Sequence, residues 1–382
     1  IPDRLSDLVQ KGEITRRYYN PGDYFDEVHI LMTNDDTVSV EAVQTMTGRA
    51  KIRLHNLPQP GRLFYTTLGY RPSLLHHWAG TGVALAREIK PDLIRCHGNS
   101  LNGFVASRIK RALRVPLVVS LHTHPFNNIK VQNIQWWPGW RRRLFITLGR
   151  GLEKATLRAS DVVMPVYESI RDYAVWGGAK RIEVVYNVLN SKNLVRKESF
   201  ELNNPARIVC VGRQLVGKNP ENIIRAVAEL EDGHLTLVGD GPLHEYLREV
   251  TVSCGVSEKV TFIKAIPNDE LCQMLSRFDI FAAHSDYNGI PKAVMEPMLC
   301  GLPIVINRAP CVPIHELTGN CVTLVENTKD GYLNGFKKLV ENNHTRVTMG
   351  QAAYEYAWAT WDPDRMEARV VEIYEGLVRG KK

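Results

Sequence analysis

Short apolar runs alternate with amphipathic stretches along almost the whole chain. In the first half, DEVHILMT, AKIRLHNL, DLIRCHG, PLVVSLH, DVVMPVY and IEVVYNV read as strands. In the second half, RIVCVG, LTLVGDG, VTFIKAI, IFAAHS, PIVINRA and CVTLVEN read the same way. Between them, apolar residues recur at helical spacing: Leu101, Phe104, Val105 and Ile109; Ile223, Val227 and Leu230; Leu271, Met274, Leu275 and Phe278. Strands separated by helices predict parallel sheets with right-handed crossovers, and therefore doubly wound α/β domains.

The alternation breaks at NSKNLVRKESFELNNPAR, a polar and charged segment, and restarts at IVCVG. This places a boundary near residue 200 and predicts two Rossmann-like domains, 1–199 and 200–364, facing across a cleft. The tail DRMEARVVEIYEGLVRG puts Val370, Ile373, Tyr374 and Leu377 on one face, which predicts a helix, about 365–382, packed on a domain surface. Ligands of such folds bind outside the carboxyl ends of the strands, so the chemistry is expected on loops that follow strands.

Composition narrows the picture only a little. The length of 382 residues suits two domains of ordinary size. No run approaches the roughly 20 apolar residues that span a bilayer. No basic segment leads into an apolar run at the start, which argues against a retained signal peptide, although the first residue is Ile1 and a trimmed leader or lost first strand stays open. The seven cysteines are scattered without a C-x-x-C pair, which suits reduced thiols in a cytoplasmic protein and suggests no metal site. A net charge of +7 permits phosphate-bearing substrates, nucleic acid or an anionic membrane surface. No helix-turn-helix, zinc or stacking-platform pattern supports nucleic acid.

Three loops carry candidate chemistry. In VGRQLVGKNPENIIRAV, Arg213 and Lys218 flank a turn, and Asn219 with Pro220 reads as an N-cap and first helical position. Two cations beside a helix N-terminus form an anion site into which a diphosphate fits; a solvated basic turn is the competing reading. In LVGDGPLHEYL, Gly239 and Gly241 let the backbone approach a ligand closely, or simply make a tight βα turn. In SDYNGIPKAVMEPMLCG, a donor-rich turn precedes a helix that Gly301 closes, with Glu296 inside it.

As an ordered set, GR followed by Lys218, then VGDGP, then NGIPKAVMEPMLCGLPIV resembles the retaining nucleotide-sugar glycosyltransferases of family 4, which have the GT-B fold. PDLIRCHG, VPLVVSLH and ASDVVMPVYESI extend the resemblance into the first half. It implies that Arg213 and Lys218 neutralise the donor diphosphate and that Glu296 holds the ribose hydroxyls. The backbone of Gly289, Ile290 and Pro291 would meet sugar and phosphate, and Ile266 would present backbone to the base. His122 matches the first-domain histidine near the anomeric centre, with His97 and His124 competing for that role. Asn288 stands where the family has the first acid of its E-x7-E pair, so the sugar contact there would be an amide. Pro297 replaces an alanine and is expected to remove a helical hydrogen bond or kink the helix.

The resemblance further implies metal-independent transfer of a hexose-type sugar to a hydroxyl acceptor, by front-face attack. The nucleotide sugar would be a substrate, with no separate cofactor. The acceptor would be a glycan, lipid-linked or small molecule, such as a cell-surface polysaccharide precursor. NIQWWPGWRRRLF joins Trp136, Trp137 and Trp140 to Arg141, Arg142 and Arg143, which suits a membrane interface or a lipid-linked acceptor, and equally an acidic glycan, the cover of a neighbouring helix or a solvated basic face. A sugar-nucleotide epimerase of the same fold and a non-catalytic sugar-nucleotide sensor are the readings from other classes.

Overall fold

The computed structural model describes residues 1–60, 72–122, 138–187, 189–287, 289–310 and 313–380. The chain divides into two compact units. One comprises Ile1–Gln10, Thr15–Val188 and Arg365–Lys382, and the other Lys11–Ile14 and Leu189–Asp364.

In the first unit, strands β1 (Glu27–Met32) and β2 (Lys51–Asn56) pair in parallel. Strands β3 (Ile94–His97), β4 (Leu117–Leu121) and β5 (Val162–Pro165) form a second parallel sheet. Its helices are α1 (Leu5–Gln10), α2 (Val40–Val43), α3 (Pro72–Ile89), α4 (Leu101–Leu113), α5 (Gly139–Ala159) and α6 (Arg171–Trp176). The expected helical stripe of α4 is in the core, where Leu101, Val105 and Ile109 meet Trp78 and Val83 of α3. IEVVYNV does not form a named strand among the described residues. Its backbone follows β5 through Val185 N–H to Pro165 O at 3.0 Å and a single parallel bridge between Val163 and Ile182.

The second unit has a six-stranded parallel sheet ordered β11-β10-β9-β6-β7-β8. Its strands are β6 (Ala206–Val211), β7 (Gly233–Val238), β8 (Val260–Ile263), β9 (Ile280–Ala283), β10 (Ile304–Asn307) and β11 (Thr323–Val325). Helices α7 (Glu221–Ala228), α8 (His244–Ser253), α9 (Asn268–Leu275), α10 (Lys292–Cys300), α11 (Lys329–Glu341) and α12 (Asn343–Trp361) complete it. This is a doubly wound sheet whose order reverses between β6 and β9, so the loops leaving those two strands diverge and open the crevice where such sheets bind ligands. Ile223, Val227, Leu235, Ile280 and Phe336 form the core between sheet and helices.

The polar segment read as a domain boundary belongs to the second unit from Leu189 onward. Its backbone is tied there: Lys197 N–H donates to Cys300 O at 2.7 Å, and Lys197 Nζ donates to Phe278 O at 2.8 Å. Arg346 Nη2 donates to Phe200 O at 3.1 Å. A buried lysine that satisfies carbonyls makes a polar sequence part of a core. The last helix, α13 (Pro363–Arg379), lays Val370, Ile373 and Tyr374 against Val118, Val162 and Met164 of the first unit. That is the face its periodicity predicts.

Candidate functional site

In the second unit, the loop after β6 turns sharply, with Lys218 N–H donating to Leu215 O at 2.7 Å. Asn219 Oδ1 accepts from Glu221 N–H at 3.0 Å, but α7 starts one residue later than expected, with Glu221 as its first residue and Pro220, which has no side-chain capping bond, as its N-cap. Arg213 is exposed and Lys218 half-buried. Neither has a salt-bridge partner among the described residues. Lys218 lies 5.7 Å from the centre of the Tyr287 ring. Burial lowers its affinity for a proton and neighbouring Arg213 lowers it further, while Glu13 opposes the shift. Two unneutralised cations thus stand before a helix N-terminus, an arrangement that favours an anion.

The loop after β7 packs directly on this one. Gln214 Nε2 donates to Gly239 O at 2.8 Å, and Gln214 N–H donates to Asp240 O at 3.0 Å. His244 Nδ1 and Gln214 Oε1 are 2.8 Å apart. A Cβ at Gly239 would collide with Gly212 O, and one at Gly241 with Gln214 O. The glycines are therefore required first by contact between two loops, whatever ligand approaches them.

The loop after β9 holds the third element. His284 is 7% exposed and its Nδ1 accepts from Asn219 N–H at 2.8 Å. Its Nε2–H is thereby available to donate to Asp286 Oδ1 at 3.0 Å. Burial lowers the His284 pKa, with Asp286 opposing, which keeps the ring in the neutral form that Nδ1 acceptance requires. Asp286 N–H donates to Gly217 O at 3.0 Å, and Asn307 Oδ1 accepts from Ser285 N–H at 2.8 Å. His284 is thus a strut between the loop that carries Lys218 and the loop that carries Tyr287. Sequence reasoning missed it; the signal was a histidine two residues before an aspartate, directly after a buried strand.

Arg213, Lys218, Pro291, Gln214 and His284 line one pocket at the β6/β9 divergence. Gly289 and Ile290 are buried, Ile290 fully, and of this turn only Pro291 lines the pocket. Glu296 is 3% exposed, one turn into α10. Asn268 Nδ2 donates to its Oε1 at 3.0 Å and Lys292 Nζ lies 3.7 Å from the same oxygen, so both contacts fall on Oε1. Pro297 is accommodated within α10, which runs unbroken to the left-handed Gly301. Ile266 is half-buried, and its carbonyl lies against Gly12 of the Lys11–Ile14 segment. Asn288 lies outside the described residues, as do His124, Trp136 and Trp137.

His122 belongs to the first unit, where it lines a small pocket with Tyr18, Arg95, Ser120 and Asn187. Its ring stacks on His97, with centroids 5.1 Å apart and planes 5° from parallel. Burial brings its pKa down to about 4, with Arg95 adding to the effect and an Asn187 hydrogen bond opposing it. Two stacked neutral imidazoles result, since burial holds His97 well below its ordinary range too.

The profile described as Glycosyltransferase Family 4 matches residues 26–192, and that described as Glycosyl transferases group 1 matches residues 191–356. A GDP-mannose-dependent alpha-(1-6)-phosphatidylinositol monomannoside mannosyltransferase of Mycolicibacterium smegmatis is 30% identical over 47% of this chain and 50% of its own length. The chain therefore spans about half of that relative. A D-inositol 3-phosphate glycosyltransferase of Corynebacterium jeikeium is 28% identical over 75% of this chain and 73% of its own. The solved structure of Anabaena HepE in complex with UDP superposes with a TM-score of 0.70 at 17% identity, over 97% of this chain and 96% of that one. The fold is thus the GT-B type, with two Rossmann-like domains. With two adjoining profiles running from residue 26 to residue 356, the chain belongs to the family 4, group 1 glycosyltransferases.

Proposed function

We propose that the protein transfers a hexose-type sugar, with retention of configuration, from a nucleoside-diphosphate sugar to a hydroxyl acceptor. The observation that carries this reading is the pair of unneutralised cations, Arg213 and Lys218, at the head of α7 in a pocket at the sheet's switch point. Breaking the bond from sugar to phosphate leaves negative charge on the nucleoside diphosphate. Arg213, Lys218 and the N–H groups at the head of α7 are positioned to stabilise that charge, the largest electrostatic task of the step. Oε2 of Glu296 holds the ribose hydroxyls while Oε1 remains braced by Asn268 and Lys292. The backbone of Gly289, Ile290 and Pro291 meets the sugar and phosphates. Gly239 and Gly241 keep the adjoining loop close, Ile266 offers backbone to the base, and Asn288 contacts the sugar through its amide.

His122 serves the acceptor side of the reaction. It is neutral near pH 7, so it acts as a hydrogen-bond partner of the reacting sugar and carries no charge there. The acceptor hydroxyl attacks the anomeric carbon from the face the diphosphate leaves, and a donor phosphate oxygen takes its proton. The nucleotide sugar is a substrate, and no resident cofactor is invoked.

The two inositol-directed relatives support a lipid-linked or phosphoinositol-type acceptor. No described helix is long and apolar enough to cross a membrane. With such an acceptor the protein would work in the cytoplasm, peripheral to an anionic inner membrane face. Incubation with a panel of UDP- and GDP-sugars, with and without lipid and inositol phosphate acceptors, tests the reading by mass spectrometry of the products. A glycosylated acceptor is expected. An epimerised donor without any acceptor, or donor binding without turnover of any pair, overturns it.

A further inference from the structure

The basic segment read at Arg141–Arg143 is divided by the fold. Arg141 and Arg142 are half-buried, and only Arg143 of the three is exposed. Beyond its exposed first residue, Gly139, the exposed positions of α5 are instead Trp140, Arg143, Leu144, Thr147, Arg150, Gly151, Ala155 and Arg158, with Lys154 half-buried among them. At about 100° per residue these positions fall within roughly 140° of arc, a single stripe about 27 Å long. The stripe bears four cations and no acid. Glu153, the one acid of α5, is half-buried at the edge of the stripe, where Tyr173 donates to it at 2.7 Å.

Helix α6 extends this stripe sideways. Lys154 Nζ lies 4.1 Å from the centre of the Trp176 ring, and Arg150 is 6.0 Å from it. Trp176 is 38% exposed and Val175 60%; earlier on α5, Trp140 is 65% exposed and Leu144 38%. The patch therefore combines exposed aromatic and aliphatic side chains with a row of cations; Asp172 is the exposed acid on α6. A soluble polyanion would match the cations but leave four large apolar side chains in water. A bilayer with anionic headgroups takes both, because aromatic rings sit at headgroup level while lysine and arginine meet lipid phosphates.

We infer that the surface formed by α5 and the end of α6 docks on an anionic lipid bilayer, with α5 lying in the plane of the headgroups. The inference deepens the peripheral-membrane reading above and rests on it for the partner; it does not depend on the transfer reaction. The patch belongs to the first unit, and none of its residues lines the Arg213–Lys218 pocket.

Flotation of the full chain with vesicles tests it without any enzymatic readout. Wild-type protein is expected to float with vesicles of equal parts phosphatidylcholine and phosphatidylglycerol, not with phosphatidylcholine alone, and to be released by salt. The triple variant Arg143→Ser, Arg150→Ser, Arg158→Ser should lose on the order of 100-fold in partitioning, and the matching Arg→Lys triple should retain it. The double variant Trp140→Ser, Val175→Ser should also bind more weakly, and what remains should be more sensitive to salt. All these positions are exposed, and unchanged melting of each variant identifies a loss of docking that is not a loss of fold. Absence of wild-type flotation, or equal flotation of the triple serine variant, overturns the inference. Flotation that ignores the Trp140 and Val175 changes while heparin competes fully also overturns it, in favour of a soluble polyanion.

Discussion

Arg95 in the first unit and Arg213 in the second both stand close to proposed chemistry, yet they are used in opposite ways. Arg95 is spent inside the fold: Nε donates to Ser120 Oγ at 3.0 Å, and Nη1 donates to Tyr374 Oη at 3.0 Å. It fastens the last helix to the sheet and depresses the basicity of His122 beside it. Arg213 and Lys218, by contrast, have no ion pair among the described residues. A cation that satisfies internal acceptors is scaffold; one left unneutralised at a helix N-terminus is prepared for an anion from outside.

The comparison is broken most directly by exchanging the two losses. Arg213→Ala is expected to cost about 2.7–4 kcal/mol of barrier, or 10²–10³ in turnover, with little change in melting. Near-normal turnover at limiting donor would remove Arg213 from the site. Arg95→Met should do the reverse, lowering unfolding stability by about 3 kcal/mol in urea titration, because Ser120 and Tyr374 are left buried without their charged donor. If donor affinity falls more than stability does, the division between scaffold and site is wrong.

A smaller effect comes from acid. His122 has a folded pKa near 4, below the ordinary 6.5. The unfolded chain therefore binds the proton more readily, and the stability held by this group is full above about pH 6.5 and lost as pH falls toward 4. Between pH 7 and about pH 4.5 it should account for about 2 kcal/mol of lost stability. His122→Asn should flatten that part of the curve; an unchanged slope would contradict the buried neutral ring. The smallest expected effect is at the strut. His284→Ala should weaken donor binding about tenfold, since one hydrogen-bonded link between the two loops goes, and calorimetry with the nucleoside diphosphate reads it. Unchanged affinity would show that the loops hold their places without it.

Much of this organisation was legible beforehand, where its cause is local. Eleven of the twelve expected strands form, because apolar runs and turn residues act over a few neighbours. The stripe Val370, Ile373 and Tyr374 marked the buried face of the last helix for the same reason. The segment IEVVYNV shows the limit: its β-branched residues favour extension, but it reaches β5 at only one bridge. Gly239 and Gly241 were read with two alternatives, and the collision of their missing Cβ atoms with Gly212 and Gln214 gives the loop-packing alternative its physical basis.

Local periodicity and loop composition thus determined the parallel α/β class, the faces of the helices and the loops that carry Arg213, Lys218 and Glu296. Only the tertiary structure decided which polar groups are spent and which are available. Arg95 finds Tyr374 across 279 positions, Asn219 finds His284 across 65, and Lys154 finds Trp176 on another helix. The physical reason is that hydrogen bonds, burial and charge compensation act through space, so a side chain's chemistry depends on neighbours that no short stretch of sequence contains.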